Sequence, residues 1–504
     1  MQEIEKLRAE NLALRAVKKE LSKKLDLLQE RLSLLLHKLF GRKSERLREH
    51  PGQLLLFEPP EEEIKKPPFI DEAPDEESET SPKKKRRRRG PRAIKPLPTE
   101  EIVIEIPEEE RLCPCCREPM TVIGEDRQVK YETVPAMAME IHTIRPKYAC
   151  KKHEEAGVLQ APLPPSPIEK SKAGPSLLAH VLVSKYNDHL PLHRLMGIFR
   201  RHGLEIGDGI MCDWVRKCAE LLAPIRKEIG KQIKSGDLIY TDDTPITVQD
   251  RNVPKGSKKA FLWAYLDTRG NVVFDFTTSR SREGPSRWLS GYKGRLVADA
   301  FSGYDCLFDG GDIVEVGCWA HARRKFEEAY KAGDERGHLV LQAIAGMYRL
   351  EKMATEKGYS PSARRLMRET KIREILEQLF AWIESLSPSL VPGSLMAKAV
   401  GYALNQKKAL MEFLKASALP LDNNYAERTL RHVALGRKNW VFAGSDAGGE
   451  RAAILYSLMM TCRYLEMNPH AYLTDVLKRI KTQDPTRMEE LTPMVWKEQR
   501  EGKG

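Results

Sequence analysis

Leucines recur every seven residues near the start of the chain, at Leu7, Leu14, Leu21, Leu28 and Leu35. A companion row runs Ile4, Asn11, Lys18, Leu25, Leu32, Leu39. A sustained seven-residue repeat predicts a coiled-coil helix over 1–45, with leucine throughout one seam row and two polar residues in the other. Asn11 in the seam favours a two-stranded parallel pair in fixed register, at some cost in stability. The competing reading is a single amphipathic helix packed on its own domain; the unbroken heptads favour self-association.

From 46 to 100 the apolar pattern stops. Prolines recur, and acidic residues between Glu61 and Glu79 precede the run Lys83, Lys84, Lys85, Arg86, Arg87, Arg88, Arg89, with Arg92 after a Gly-Pro pair. So little apolar surface cannot offset the entropy of ordering, which predicts a disordered linker. The basic run can lie along DNA phosphates or set an arginine in a narrow minor groove. It can also be a solvated run neutralised by the acids before it. Folded pattern resumes in a module over 101–165. A strand-like run at 102–106 is followed by Cys113-x-x-Cys116 and, after a stretch with room for a hairpin over 129–134 and 139–144, by Cys150-x-x-His153. Three thiolates and an imidazole at knuckle spacing predict structural tetrahedral Zn²⁺. Cys115 has the wrong spacing to Cys113 and is left out.

Residues 166–235 read as helical. A periodic stretch at 191–202, a turn at Gly203 and a helix capped by Asp208 running to 222 outline a helix-turn-helix, with Arg200, Arg201, Arg216 and Lys217 on exposed positions. Any helical bundle gives the same outline. After Gly236 the pattern turns to strands: 238–241 leading into Asp242 and Asp243, 261–266, 272–276, 295–298 ending on Asp299, and 313–316 leading into a helix from 319 to 332. Two strands ending on acids match the place where α/β sheets set their ligands. Glu427, in Leu421-Asp-Asn-Asn-Tyr-Ala-Glu-Arg428, adds a third carboxylate facing inward from a helix that Asp422 can cap. Singly, each acid reads as a cap, a turn or a surface charge. Together they are the hard-oxygen set of a two-Mg²⁺ phosphoryl-transfer site.

Composition narrows the partners. The 504 residues carry 84 Lys+Arg against 72 Asp+Glu, a net charge of +12 that points to a polyanion such as nucleic acid. No apolar run approaches membrane length, the best stretch at 454–462 being closed by Arg451 and Arg463, and the amino terminus lacks a signal-peptide apolar region. The nine cysteines, odd in number and locally clustered, read as reduced thiols.

Several long motifs resemble the large transposase of the IS-sixty-six insertion-sequence family: Thr241-Asp-Asp-Thr-Pro245, Ala298-Asp-Ala-Phe-Ser-Gly-Tyr304, Cys318-Trp-Ala-His-Ala-Arg-Arg-Lys-Phe326, the Leu421–Arg428 stretch and Leu435–Ala453. The likeness takes in the zipper, the zinc module and Ser184-Lys-Tyr-Asn-Asp-His-Leu-Pro-Leu192, so it covers nearly the whole chain. It implies an RNase H-like mixed-sheet α/β catalytic domain (236–331 and 418–465); helix formers and periodic apolar residues over 332–417 read as a helical insertion within it, and 466–504 as a helical tail. It implies a DDE triad of Asp242, Asp299 and Glu427 holding two Mg²⁺, for which Mn²⁺ can substitute. Family members vary at the position of Asp243. They usually close the second knuckle with Cys, where this chain has His153.

Around that triad, His321 can orient a phosphate or a water, and Arg323, Arg324, Arg437 and Lys438 can neutralise phosphate charge. Packing of Trp319 and Phe326 explains part of the same motif. Gly444, Gly448 and Gly449 permit close backbone approach to a phosphate, or a plain loop. Arg364, Arg365 and Arg368 of the insertion face either transposon ends or solvent. The expectation is a DDE transposase that cuts and rejoins terminal repeats in target double-stranded DNA. It would act as a homodimer or higher oligomer, with or without small accessory proteins, in the cytoplasm at the bacterial nucleoid and away from membranes. The rivals are a catalytically inactive DNA-binding relative and a metal-dependent nuclease without strand transfer.

Overall fold

A computed structural model describes residues 2–40, 141–142, 147–149, 158–160 and 165–501. The linker, the basic run from Lys83 to Arg89 with Arg92, and the four zinc candidates Cys113, Cys116, Cys150 and His153 lie outside the described residues. Of the expected zinc module, an antiparallel pair is described, β1 (Lys147–Ala149) and β2 (Val158–Gln160), in register Lys147↔Gln160. The expected hairpin over 129–134 and 139–144 falls outside, except that 141–142 form no strand.

The heptad segment is one helix, Gln2–Phe40. Its two sides differ. Leu27, Glu30, Ser33 and Leu34 are partly buried, and the Glu30 carboxylate accepts from the Leu395 backbone N–H (2.9 Å) at the start of the helix Leu395–Asn405. An anion at a helix amino terminus satisfies an orphan donor and complements the dipole. The heptad rows point elsewhere: Leu14, Leu21, Leu25, Leu28, Leu32 and Leu35 are 56–66% exposed.

Three helices follow: Pro175–Tyr186, Leu192–Arg201 and Asp208–Lys234. Gly203 takes the left-handed conformation (φ 79°) that ends the second. The third is longer than the sequence suggests and runs through Pro224. Its buried face, Met211, Trp214, Val215, Cys218, Leu222, Ile225, Ile229 and Ile233, continues unbroken across the proline, so packing offsets the lost hydrogen bond. Gly207, not Asp208, is its cap residue. Arg216 is paired with Asp213 and Glu220, and Lys217 with Asp213, along the helix's own surface.

The core is a five-stranded mixed sheet, β3 (Leu238–Gln249), β4 (Ser257–Leu266), β5 (Val272–Thr277), β6 (Gly294–Ala298) and β7 (Ile313–Gly317), in the order β5-β4-β3-β6-β7. β5, β4 and β3 form an antiparallel meander, and β6 and β7 add in parallel on the far side of β3. β4 is buried from Ala260 to Leu266, as expected of a strand covered on both faces. The helix Asp446–Tyr464 lies on β5. There the Ser457 and Thr461 hydroxyls accept from the backbone N–H groups of Phe274 (2.8 Å) and Val272 (3.0 Å), satisfying donors that an edge strand otherwise leaves open. Along the sequence, helices over Arg336–Met411 come between the last strand and the helix Asn424–Trp440, which packs on β3. Counted over the described residues, the chain is mostly helical, and no helix is long and apolar enough to cross a membrane.

Candidate active site

Strand register brings two of the acids together. β3 and β6 pair as Leu238↔Arg295, Ile239↔Leu296 and Tyr240↔Val297. Asp242 and Asp299 each stand two residues beyond the last pair, so they share a level and, by the period of two, a side. Asp299 follows the end of β6, as the sequence suggests. Asp242 does not end its strand: β3 runs on to Gln249, because its alternating residues pair with β4 out to Gln249↔Ser257. The acid stands where β6 leaves the sheet, a gap in pairing inside a long strand. Ala300, next to Asp299, has φ 61°, a strained value for a residue with a Cβ, and the Asp299 carboxylate accepts from the Phe301 N–H (3.1 Å).

The third acid arrives on the helix Asn424–Trp440, in whose first turn Glu427 lies. Asn423 fixes that helix to the sheet. Fully buried, it donates its side-chain amide to the Thr241 carbonyl (2.8 Å) and its backbone N–H to Cys318 Sγ (3.2 Å). Asp422 accepts from the Asn424 backbone and side chain and from the Tyr348 hydroxyl (2.9 Å). Arg437, three turns on, donates to Thr244 Oγ1 (3.0 Å) and to the Pro245 carbonyl. It therefore ties helix to strand. Lys438 is exposed.

Electrostatics record the convergence. Burial pushes the Asp242 carboxyl up to about 8, with the negative charges of Asp299, Asp243 and Glu427 adding to the effect. Burial lowers His321, against the pull of Asp299 and Glu427, which favours the neutral imidazole. Its Nε2 lies 3.8 Å from Glu427 Oε1, and Arg324 lies 3.7 Å from Glu427 Oε2. Arg323 pairs with Glu327 (3.3 Å). Glu427 Oε1 and His321 Nδ1 are buried without a hydrogen-bond partner. Among the described residues, no group of three or more His, Cys, Asp or Glu is drawn closely enough together to hold a metal ion.

Sequence reasoning missed Arg280. Its guanidinium grips Asp243 (Nη2–Oδ1 2.6 Å), approaches Asp299 (3.6 Å) and stacks on the Phe301 ring (4.1 Å). It sits in a polar loop, Thr278-Ser-Arg-Ser-Arg282, where nothing local marks it. Two suggested phosphate contacts have structural roles instead. A Cβ on Gly449 would strike the Phe276 ring (2.3 Å), so this glycine lets a helix approach β5. Arg368 is 2% exposed, inside the helical insertion and away from any ligand surface.

Models of known families match most of the chain. The model described as "Transposase IS66 family" matches residues 170–451, and the "IS66 C-terminal element" matches 457–494. "Transposase C of IS166 homeodomain" matches 27–102, which includes the basic run, and "zinc-finger binding domain of transposase IS66" matches 110–152. The chain belongs to the IS66 transposase family, with DNA-binding and zinc-finger segments. Two similar proteins of Sinorhizobium fredii (strain NBRC 101917 / NGR234) carry the names "Uncharacterized protein y4jD" and "Uncharacterized protein y4hP". The first is 33% identical over 80% of this chain and 81% of its own length, and the second 30% identical over 79% and 75%.

Proposed function

We propose that the chain is a DDE transposase whose sheet and Glu427 helix form an RNase H-like domain, cleaving transposon ends and joining them to target DNA. The observation that carries this reading is the β3–β6 register, which sets Asp242 level with Asp299 beneath a helix that delivers Glu427. The donor chemistry suits two Mg²⁺ (or Mn²⁺): all donors are carboxylate oxygens, one Glu427 oxygen is buried and unpartnered, and the crowded negative charge calls for a cation. The three acids stand farther apart than metal ligands do, however, and would have to draw in around the ions. When bound, the ions supply the charge that activates an attacking oxygen and stabilises a leaving one. Asp242 must first give up its proton. Arg280 holds Asp243 out of the ligand set. Neutral His321 orients a phosphate or water beside Glu427, and Arg324, half-exposed at the rim, offers charge to the incoming phosphate.

A duplex carrying the terminal repeats that flank the coding sequence tests this. Mg²⁺-dependent cleavage leaving a 3′-hydroxyl is expected, and no cleavage with Mg²⁺ or Mn²⁺ would overturn the reading. The raised Asp242 value adds a pH dependence. Its folded-state value lies above the ordinary carboxylate value, so the stability linked to that proton is full at acid pH and lost as pH rises to about 8. A metal ion competes with the same proton, so apparent Mg²⁺ affinity should rise by up to about tenfold per unit towards pH 8. Thermal shift should show more stabilisation by Mg²⁺ at pH 8 than at pH 6; equal shifts would contradict the assignment.

The exposed heptad rows support a parallel coiled coil with a second copy, since the opposite face is already docked on the insertion. A chain beginning after Gly41 should sediment at half the mass of the full chain; an unchanged oligomer would remove the coil from the account. Structural Zn²⁺ on Cys113, Cys116, Cys150 and His153 should appear as about one zinc per chain by elemental analysis. The zinc-finger match stops one residue short of His153, so His153→Ala tests the fourth ligand: zinc should fall, whereas Cys115→Ser should leave it unchanged.

A further inference from the structure

The helix bearing Glu427 ends in an unusual way. Val441 has φ 59° and ψ −47°, and the Phe442 N–H donates to the Trp440 carbonyl across it (2.6 Å). That is a γ-turn of the rare, strained kind, here centred on a β-branched residue. The turn throws two large apolar side chains outward: Val441 is 62% exposed and Phe442 43%. Strain persists only where the surroundings impose it, and here they do. The next residue, Ala443, is buried and bridges to Val248 at the end of β3. Its N–H donates to the Thr247 carbonyl (2.8 Å), and its carbonyl accepts from the Gln249 N–H (2.8 Å). The apolar tip is thus held between a long helix and the central strand.

The surroundings are basic. Lys438 on the helix and Arg251, Lys255 and Lys259 on the adjoining β3–β4 hairpin are exposed. Two acids of this region, Asp250 and Asp446, are both paired with Lys258 (3.1 and 2.7 Å), while Lys259 also feels the Asp243 carboxylate. An apolar projection with exposed cations on the elements beside it suits a duplex, in which apolar side chains enter base steps while lysine and arginine hold phosphates. Val441 stands fourteen positions after Glu427, a span of about 20 Å at the helical rise. At about 3.4 Å per base pair that is roughly six base pairs.

Resting on the transposase reading, we propose that the Val441–Phe442 tip is an apolar wedge that enters a base step of the bound transposon end, roughly six base pairs from the phosphate the carboxylates act on. Partial unstacking there bends the end towards the site and fixes the register of the scissile phosphate. The wedge needs no sequence-specific contact, because every base offers a π-face.

Placing 2-aminopurine at successive positions of a terminal-repeat duplex tests this, with Ca²⁺ present so that binding proceeds without cleavage. The full chain should raise the fluorescence severalfold at one or two neighbouring positions, roughly six pairs from the cleavage point. Glu427→Gln should give the same rise, since unstacking does not depend on chemistry. Phe442→Ala should abolish the rise while affinity changes only a few-fold, and Phe442→Leu should restore part of it. Lys438→Ala should weaken binding and leave the rise in place. Binding with no rise at any position, or a rise unchanged in the double variant Val441→Ala, Phe442→Ala, would overturn the wedge while leaving the cleavage reading intact. Cleavage failing in Mg²⁺ while the rise persists would overturn the cleavage reading alone.

Discussion

Asp242→Asn, Asp299→Asn and Glu427→Gln are each expected to lower end cleavage on the order of a thousandfold, with end binding retained. Each amide removes a negative charge from a site that must offset two dications, and a neutral amide oxygen is the poorer ligand. Binding draws on basic surfaces elsewhere, so it should survive or improve slightly as repulsion of phosphate falls. Asp243→Asn should be milder, because that carboxylate is occupied by Arg280. Cleavage by gel and binding by mobility shift, on the same preparations, separate these outcomes. Cleavage at the wild-type rate by Asp299→Asn or Glu427→Gln would remove those residues from the site.

The largest expected loss of stability lies in the helical insertion, at Arg368. Its guanidinium pairs with Glu351 (2.6 Å) and donates to the carbonyls of Phe413 (2.8 Å), Ala416 (2.7 Å) and Leu419 (3.0 Å). These carbonyls belong to the segment that leads into Asp422, Asn423 and the Glu427 helix. Arg368→Met leaves the nearly buried Glu351 carboxylate with only the more distant Arg364 (3.8 Å) and removes a donor from three carbonyls, of which Ala416 keeps the Leu419 N–H. It should therefore cost about 3 kcal/mol, read as a fall in urea midpoint. Adding Glu351→Leu should recover part of that loss by removing the poorly compensated charge. Arg365→Ala, which breaks an exposed pair with Glu369, should cost less than about 0.5 kcal/mol. Similar losses from Arg365→Ala and Arg368→Met would mean that burial at Arg368 is not what holds the segment.

How far the sequence discloses the molecule depends on the range of the interactions. The N-terminal helix shows in the heptads because its pattern is local, but its docked face does not, since Glu30 meets Leu395 far along the chain. The strand-then-acid pattern and the family motifs mark Asp242, Asp299 and Glu427. The β3–β6 register that aligns the first two appears only in the folded sheet. The roles of the residues that hold the acids in place were silent, even for Asn423 inside the Leu421–Arg428 motif. Asn423 bonds to Thr241 across 182 positions and Arg280 to Asp243 across 37, and neither sits in a pattern that periodicity or spacing detects. Misreadings share that cause. Gly449 resembles a phosphate-loop glycine until the Phe276 ring is set against it, and Arg368 resembles a surface cation until its carbonyl partners are in place.

Strand transfer tests the central claim most directly. Pre-cut terminal-repeat duplexes with free 3′-hydroxyls, incubated with the full chain, Mg²⁺ and a supercoiled plasmid, should yield ends covalently joined to the plasmid, and Glu427→Gln should yield none. Nicked or linearised plasmid without joined ends would show a nuclease in place of a transposase. Joining that proceeds equally well with Glu427→Gln would show that the three carboxylates are not the catalytic set.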